Sequence, residues 1–120
     1  ATPTGSTAYA LSCGGPIIQP DLDAFVMVPI CPHTLSDRPL VLRPTSTIEV
    51  VLEPRGESAA QIACDGADYG PMGLDDVLTI RGATATVRLL HPRDYNYYEL
   101  LRSKLNWGGT NRFGRSIRPT

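Results

Sequence analysis

The chain opens on a polar stretch that contains glycine and reads Ala1-Thr2-Pro3-Thr4-Gly5-Ser6-Thr7-Ala8-Tyr9-Ala10-Leu11-Ser12-Cys13-Gly14-Gly15-Pro16. Gly5 can adopt a positive φ, and Ser6 or Thr7 can cap the free N–H groups of a first helical turn. The glycines and the proline at 14–16 then end the helix. The stretch therefore predicts a short helix from Thr7 to Cys13.

A turn of this kind has two interpretations. A glycine-containing loop that leads into a helix N-terminus presents backbone N–H groups and the positive end of the helix dipole, which suit an anion or a nucleotide. The same residue types also form ordinary corners between a loop and a helix, in which the hydroxyls only cap the helix. Because short motifs recur by chance, local chemistry leaves both interpretations open.

The composition indicates a folded chain without a dominant charge. Eleven basic and twelve acidic residues among 120 give a formal net charge of −1, so electrostatics makes no case for nucleic acid or a membrane surface as a partner. Apolar residues reach 42% and charged residues 19%, which is typical of one globular domain or part of one. No apolar run approaches the roughly 18 residues that a membrane span needs, and no secretory leader is visible.

The cysteines indicate a reducing compartment. Cys13, Cys31 and Cys64 are odd in number and lack Cys-x-x-Cys spacing, which favours free thiols over a disulfide framework. Zinc ligands usually occur in short-spaced pairs, so we expect no metal site from these thiols with His33 or His91. The expected location is the cytoplasm.

Apolar runs bounded by turn residues predict strands after the opening helix. The predicted strands are Ala24–Ile30, which we expect to be covered on both faces, Pro39–Leu42, Thr47–Leu52, Gln61–Cys64, Asp76–Arg81 and Ala85–Leu90. The last two should form a hairpin around Gly82, and Tyr69–Gly73 should turn or be flexible. Strands recur about every ten residues without long helices between them, which predicts a mainly β fold with an antiparallel, sandwich-like sheet assembly.

The C-terminal part changes to a helical period. Apolar residues at Tyr97, Leu101 and Leu105 predict an amphipathic helix over Tyr95–Leu105, with Asp94 or Asn96 as its N-cap and Gly108-Gly109 as its end. We expect one domain over residues 1–109. Residues 110–120 are basic and contain no acid, which predicts a disordered tail or an arm that docks on an acidic partner.

Several segments of the chain resemble the NAD kinases, the enzymes that phosphorylate NAD to NADP. Residues 2–16 match the TPTGSTAYALSxGGP signature of that family. Further matching segments follow in the same order, namely Asp21-Leu22-Asp23-Ala24, Val28 to Ser36, Arg38 to Val41, Cys64-Asp65-Gly66, His91 to Tyr95 and Leu101 to Gly108. The resemblance thus covers nearly the whole chain.

The resemblance implies a C-terminal β domain that would follow an α/β domain. The family carries a GDG motif, whose aspartate is the proposed base, and an Asn-Glu/Asp motif, both upstream of the signature. Neither occurs in these 120 residues, so we expect the NAD-binding part of the enzyme and no activity from this part alone. The implied reaction moves a phosphoryl group from ATP or polyphosphate to the 2′-hydroxyl of the adenosine ribose of NAD, with Mg²⁺ on the phosphates. The resemblance also implies a homo-oligomer.

The resemblance also implies which residues contact NAD. They are Thr7, Ala8, Tyr9, Ala10, Leu11, Ser12 and Asp65. Thr4, Cys31 and His33 would contribute across a subunit interface, and neither a catalytic residue nor a metal ligand is implied in this part. Simple helix packing for Ala10 and Leu11, a turn aspartate at Asp65 and a buried loop histidine at His33 remain alternatives.

Two other functions remain open at this point. One is a lipid kinase of the related diacylglycerol or sphingosine type, and the other is a β module without catalytic activity that serves as an interaction surface. The opening signature together with Asp65-Gly66 favours the dinucleotide branch.

Overall fold

The computed structural model describes residues 1–34, 36–54 and 59–108, and the tail predicted at 110–120 lies outside them. The chain divides into two compact units, Ala1–Thr84 and Ala85–Thr120. A single domain over 1–109 stays a prediction.

The opening stretch folds as two short helical elements rather than one. A 3-10 helix spans Thr4–Thr7, and helix α1 spans Tyr9–Ser12. Ala8 separates them with a φ of −96° and a ψ of −130°, so the short helix predicted over Thr7–Cys13 is present only from Tyr9 to Ser12. The backbone departs from helical geometry at Ala8, and neither element has a side-chain cap at its N-terminus.

The positive φ expected at Gly5 occurs instead at Gly14, where φ is 82°. The amide of Gly14 donates to the Leu11 carbonyl at 3.0 Å, and that of Gly15 donates to the Ala10 carbonyl at 2.9 Å. These bonds satisfy carbonyl groups at the end of α1, as a left-handed glycine commonly does. The predicted end of the helix is therefore confirmed.

The first unit is mainly β, and its strands pair antiparallel, which confirms the predicted fold class. The strands are β1 (Phe25–Met27), β2 (Leu40–Leu42), β3 (Ile48–Val51), β4 (Ala60–Cys64), β5 (Ala67–Met72) and β6 (Val77–Ile80). In the part of the chain that the structure describes, they form three two-stranded sheets, β1–β2, β3–β6 and β4–β5. The buried side chains of this unit include Ser6, Ile18, Val26 and Met72.

Strand β1 is shorter and less covered than predicted. It keeps three of the residues expected over Ala24–Ile30, and Val26 is 2% exposed whereas Met27 is 38% exposed. Besides β2, it pairs with Ala1, whose amino group donates to the Val26 carbonyl at 2.6 Å and whose carbonyl accepts from the Val26 amide at 2.9 Å. The strand buries one face, so coverage on both faces is wrong.

Strands β4 and β5 form a tight hairpin. Asp65 and Gly66 both have a positive φ, 49° and 81°, which is the geometry of a two-residue type I′ turn. The strand and turn predicted at 61–66 are confirmed, but the turn predicted at Tyr69–Gly73 is wrong, because β5 runs through Gly70 and Pro71 to Met72. A register shift between Ile62 and Ala63 lies opposite this part of β5, and such irregular edge positions tolerate both residue types.

Strand β6 pairs with β3 instead of forming a hairpin with 85–90. Ile48 lies opposite Ile80, and Val51 lies opposite Val77, whereas residues 85–90 form no strand. Gly82 is a point of close approach, because a Cβ there would lie 2.5 Å from the Pro44 carbonyl oxygen. The predicted hairpin fails because β6 finds its partner far away in sequence.

The second unit contains helix α2, which spans Tyr97–Leu105. Asn96 caps it, since its side-chain oxygen accepts from the amides of Tyr98 at 3.0 Å and Glu99 at 3.3 Å. The helix is confirmed with the later of its two predicted starts, and Asp94 is not the cap. It ends at Asn106, whose φ is 51°, rather than at Gly108-Gly109.

Candidate functional site

The opening stretch is fixed from inside by the side chain of Ser6. This side chain is fully buried. Its hydroxyl donates to the Pro3 carbonyl at 2.6 Å and accepts from the Ile18 amide at 2.9 Å. Ser6 therefore links the start of the 3-10 helix to residue 18. The sequence had predicted a different role for it, as a helix cap.

The backbone amides of this stretch are largely used within it. Amides with an acceptor inside the stretch, at 3.0 to 3.2 Å, include those of Gly5, Ser6, Ala8 and Leu11. The interpretation as an anion seat therefore does not hold for these four amides.

The side chains that face solvent include the aromatic ring of the stretch. Tyr9 is 69% exposed, and Ser12 is exposed as well. An exposed tyrosine offers a flat apolar face together with a hydroxyl, which suits a nucleobase or a nicotinamide ring. Ala10 and Leu11 are half-buried, which fits helix packing as well as ligand contact.

Thr7 and Thr4 are linked to each other. The Thr7 hydroxyl donates to the Thr4 carbonyl at 3.3 Å, and Thr7 is half-buried while Thr4 is exposed. Ala8 is also exposed. The predicted residues between 4 and 12 thus lie on one short, continuous segment.

The remaining predicted residues lie at two other places in the first unit. Asp65 is exposed at the tip of the β4–β5 hairpin, where its left-handed φ also makes it a turn residue. Cys31 and His33 lie in the loop after β1, and both are exposed. The alternative of a buried histidine at His33 is therefore wrong. Among residues 1–34, 36–54 and 59–108, no hydrogen bond joins these places to the opening stretch.

Asp68 is a polar residue that the sequence did not single out. Its carboxylate accepts from the amide of Gly70 at 2.7 Å and from the side-chain amide of Gln61 across the hairpin. The bond from Gly70, followed by that from Gln61, lowers the pKa of Asp68 below its ordinary value. The only signal for Asp68 in the sequence was a glycine two positions later, at Gly70. An acidic residue before a glycine is equally typical of a solvated strand.

The described residues show no ready-made metal centre. Within them, no group of three or more His, Cys, Asp or Glu side chains could hold an ion. Cys13, Cys31 and Cys64 are free thiols. None of the helices in this part of the chain is both long and apolar enough to cross a membrane.

Comparison with known proteins assigns the family. The family model of the ATP-NAD kinase C-terminal domain matches residues 1–91. The chain belongs to this family. The resemblance seen in the signature at 2–16 is thereby confirmed, and the matched range also contains Cys31, His33 and Asp65.

Individual proteins that are similar to this chain support the family assignment. The NAD kinase of Methylococcus capsulatus is 50% identical over 107 residues, which are 89% of this chain and 37% of that protein. The NAD kinase of Azotobacter vinelandii is 49% identical over 108 residues, which are 90% of this chain and 37% of that protein. The chain therefore spans little more than a third of the length of these relatives.

A solved structure shows the same fold. The crystal structure of yeast NADH kinase complexed with NADH superposes with a TM-score of 0.79 at 26% sequence identity. The match covers 94% of this chain and 36% of the yeast chain. The mainly β, antiparallel architecture is thus that of the NAD kinase C-terminal domain.

Proposed function

We propose that the chain is the dinucleotide-binding part of an NAD kinase. The observation that carries the proposal is the 50% identity to an NAD kinase over 107 residues, in a family match that includes the whole opening stretch. The reaction of the complete enzyme transfers the terminal phosphoryl group of ATP or of inorganic polyphosphate to the 2′-hydroxyl of the adenosine ribose of NAD. The acceptor is the alcohol, and the product is NADP.

Side chains of the opening stretch provide the grip on NAD. Tyr9 stacks on a ring of the dinucleotide, and the hydroxyls of Thr7 and Ser12 bond its polar groups. The carboxylate of Asp65 accepts a hydrogen bond from a ribose hydroxyl. The exposure of Tyr9, Ser12 and Asp65 supports these roles, because each can reach a ligand without unfolding its element.

Phosphoryl transfer needs groups that these residues do not supply. The described residues do not fit a protein-held Mg²⁺ site, since no cluster of three acidic or other ligating side chains occurs among them. Mg²⁺ would be supplied with the phosphoryl donor in the complete enzyme, where it would neutralise charge on the phosphates. The general base belongs to the GDG motif of the complete enzyme, so the 120 residues bind NAD without phosphorylating it.

The complete enzyme is a cytoplasmic homo-oligomer in this proposal. Thr4, Cys31 and His33 then contribute to the NAD site of a neighbouring subunit. Large apolar side chains on strands are exposed, including Val51 at 58% and Val77 at 57%, and two-stranded sheets are marginal on their own. Both features favour association of the 120-residue chain, either with the rest of its own enzyme or with a second copy.

The test is a titration of the 120-residue chain with NAD, followed by backbone amide shifts. We expect saturable shifts over residues 7–12 and at Asp65. Because stacking on an aromatic ring is worth about 1–3 kcal/mol, Tyr9→Ala should raise the Kd for NAD roughly tenfold or more.

The matched control is Tyr98→Ala, which removes a tyrosine that is 48% exposed on α2 in the second unit. It should leave the Kd for NAD unchanged. A wild-type chain without a saturable response, or equal losses in the two variants, would contradict the proposal.

A further inference from the structure

We infer that Ser6 is a positioning residue for dinucleotide binding. Its buried hydroxyl fixes the segment that carries Tyr9 and Ser12, although Ser6 itself cannot touch a ligand. The inference rests on the proposed function, because it concerns how the same site is held in shape.

The contacts of Ser6 join two parts of the chain that lie twelve residues apart. Its hydroxyl donates to the Pro3 carbonyl at 2.6 Å and accepts from the Ile18 amide at 2.9 Å. Ser6 is fully buried, and Ile18 is 5% exposed. Since water does not reach these groups, the hydroxyl is the acceptor that satisfies the Ile18 amide.

The segment that Ser6 holds is too short to hold itself. Helix α1 has four residues, and isolated helices of that length do not persist in water. Its orientation therefore depends on what fixes each end. Ser6 fixes the approach to it, and at the other end the amide of Gly15 donates to the Ala10 carbonyl at 2.9 Å.

The end at Gly15 is packed too closely to compensate. A Cβ at Gly15 would lie 2.8 Å from both the Ala10 carbonyl oxygen and the Val28 side chain. The backbone of Gly15 thus lies close to the end of α1, which helps to hold that end in place. When the bond between Ser6 and Ile18 is lost, the segment can rotate about the end of α1 at Gly15. Tyr9 and Ser12 then change their positions relative to bound NAD.

Removal of the Ser6 hydroxyl leaves one buried backbone amide without a hydrogen-bond acceptor. In Ser6→Ala, the Ile18 amide is buried without an acceptor, and buried unpaired groups are costly. The segment relieves this by shifting until water reaches the amide. The binding residues are intact in the variant, but they are misplaced relative to Asp65.

The experiment compares Ser6→Ala with Ile18→Val. The control shortens a neighbouring buried side chain and so lowers stability, but it keeps the bond between the Ile18 amide and the Ser6 hydroxyl. We expect Ser6→Ala to raise the Kd for NAD roughly tenfold, as it would if only about one molecule in ten kept the segment in the binding geometry. Ile18→Val should change the Kd less than about twofold at a comparable loss of Tm.

Kinetics of the complete enzyme separate positioning from simple instability. Ser6→Ala should raise the KM for NAD while kcat and the KM for the phosphoryl donor stay within about twofold, as expected when ground-state and transition-state binding weaken equally. A purely structural role would instead lower the amount of active enzyme, and hence kcat, at an unchanged KM. That result would overturn the inference.

A measurement on the wild-type chain covers the case in which Ser6→Ala does not fold. Exchange of the Ile18 amide should slow on addition of NAD, because a ligand that depends on this segment suppresses its local opening. Unchanged exchange at saturating NAD would overturn the inference. Failure of the proposed function is distinct, since there the wild-type chain does not bind NAD and Tyr9→Ala has no effect.

Discussion

At the scale of single residues, the first unit shows how one residue type can serve opposite purposes. Ser6 and Ser12 lie in the same short stretch, yet one is fully buried and the other is exposed. The sequence predicted Ser6 as a helix cap and Ser12, through the family resemblance, as a contact to NAD. Burial separates them, because the buried hydroxyl organises the backbone while the exposed one is free to meet a ligand.

Asp68 gives a prediction of pH dependence. Its pKa is lowered by the bonds from the Gly70 amide and the Gln61 side chain, so its charged form stabilises the folded state. For a depressed folded-state pKa, this stabilisation is complete above the ordinary aspartate value of about 3.9 and is lost as the pH falls through the folded-state pKa. Asp68→Ala should therefore be less stable than wild type at pH 7.

The measurement is the pH dependence of unfolding for wild type and Asp68→Ala, together with an NMR titration of the Asp68 carboxyl carbon. We expect the difference in stability to shrink only in acid, and the titration midpoint to lie below the ordinary value. A midpoint at or above about 3.9 would contradict this account.

At the scale of elements, we predict that the position just after strand β6 must be glycine, because residue 82 lies close to Pro44. A Cβ at this position would lie 2.5 Å from the Pro44 carbonyl oxygen, so Gly82→Ala forces the backbone apart just beyond the β3–β6 pair. Overpacking of this kind costs about 1–3 kcal/mol. The variant should unfold at a lower urea concentration than wild type.

Gly73→Ala is the matched control for Gly82→Ala. A Cβ at Gly73 would meet only the Asp76 side chain, at 3.4 Å, which is ordinary contact. We expect its free energy of unfolding to stay within about 0.5 kcal/mol of wild type, as for most surface changes. Equal losses in the two variants would show that the contact with Pro44 does not matter.

The elements also show what the sequence could reveal. Strands β3 and β4 follow from β-branched and apolar runs between turn residues, and α2 follows from its helical period. Strand β5 was missed because Gly70 and Pro71 normally interrupt strands, although an irregular edge accommodates them. The partner of β6 was missed because local patterns do not encode pairing with β3, more than twenty residues away.

The candidate site was predictable only in part, for the same reason. Tyr9, Ser12 and Asp65 came from resemblance to a family signature, and the structure shows their exposure. The bond from Ser6 to Ile18 was not predictable, because a capping serine and a buried serine occupy the same sequence pattern. Which residues meet across the fold is information that only the three-dimensional structure contains.

At the scale of the whole molecule, exposed apolar side chains predict association. Val87 is 87% exposed and Leu90 is 89% exposed in the second unit, and Val51 and Val77 are more than half exposed in the first. Unpaired extended segments and strand edges favour pairing with other chains. We expect the 120-residue chain to self-associate with rising concentration.

Sedimentation over a range of concentrations is the measurement for this prediction. Val87→Lys should weaken association, because charge on an extended segment opposes pairing. Lys104, which is already exposed on α2, provides the control change Lys104→Arg, which should have no effect. A clean monomer at high concentration would contradict the prediction.

The tight turn at Asp65 and Gly66 has a consequence for the order in which the chain folds. The β4–β5 hairpin closes between neighbouring residues, whereas β3 must find β6 across the segment from Val51 to Val77. Local hairpins form within about 1–10 μs, and closure of a longer loop costs more entropy. Because the hairpin lies inside that segment, its early formation shortens the effective loop, so the kinetic route to the β3–β6 pair runs through the turn that also presents Asp65.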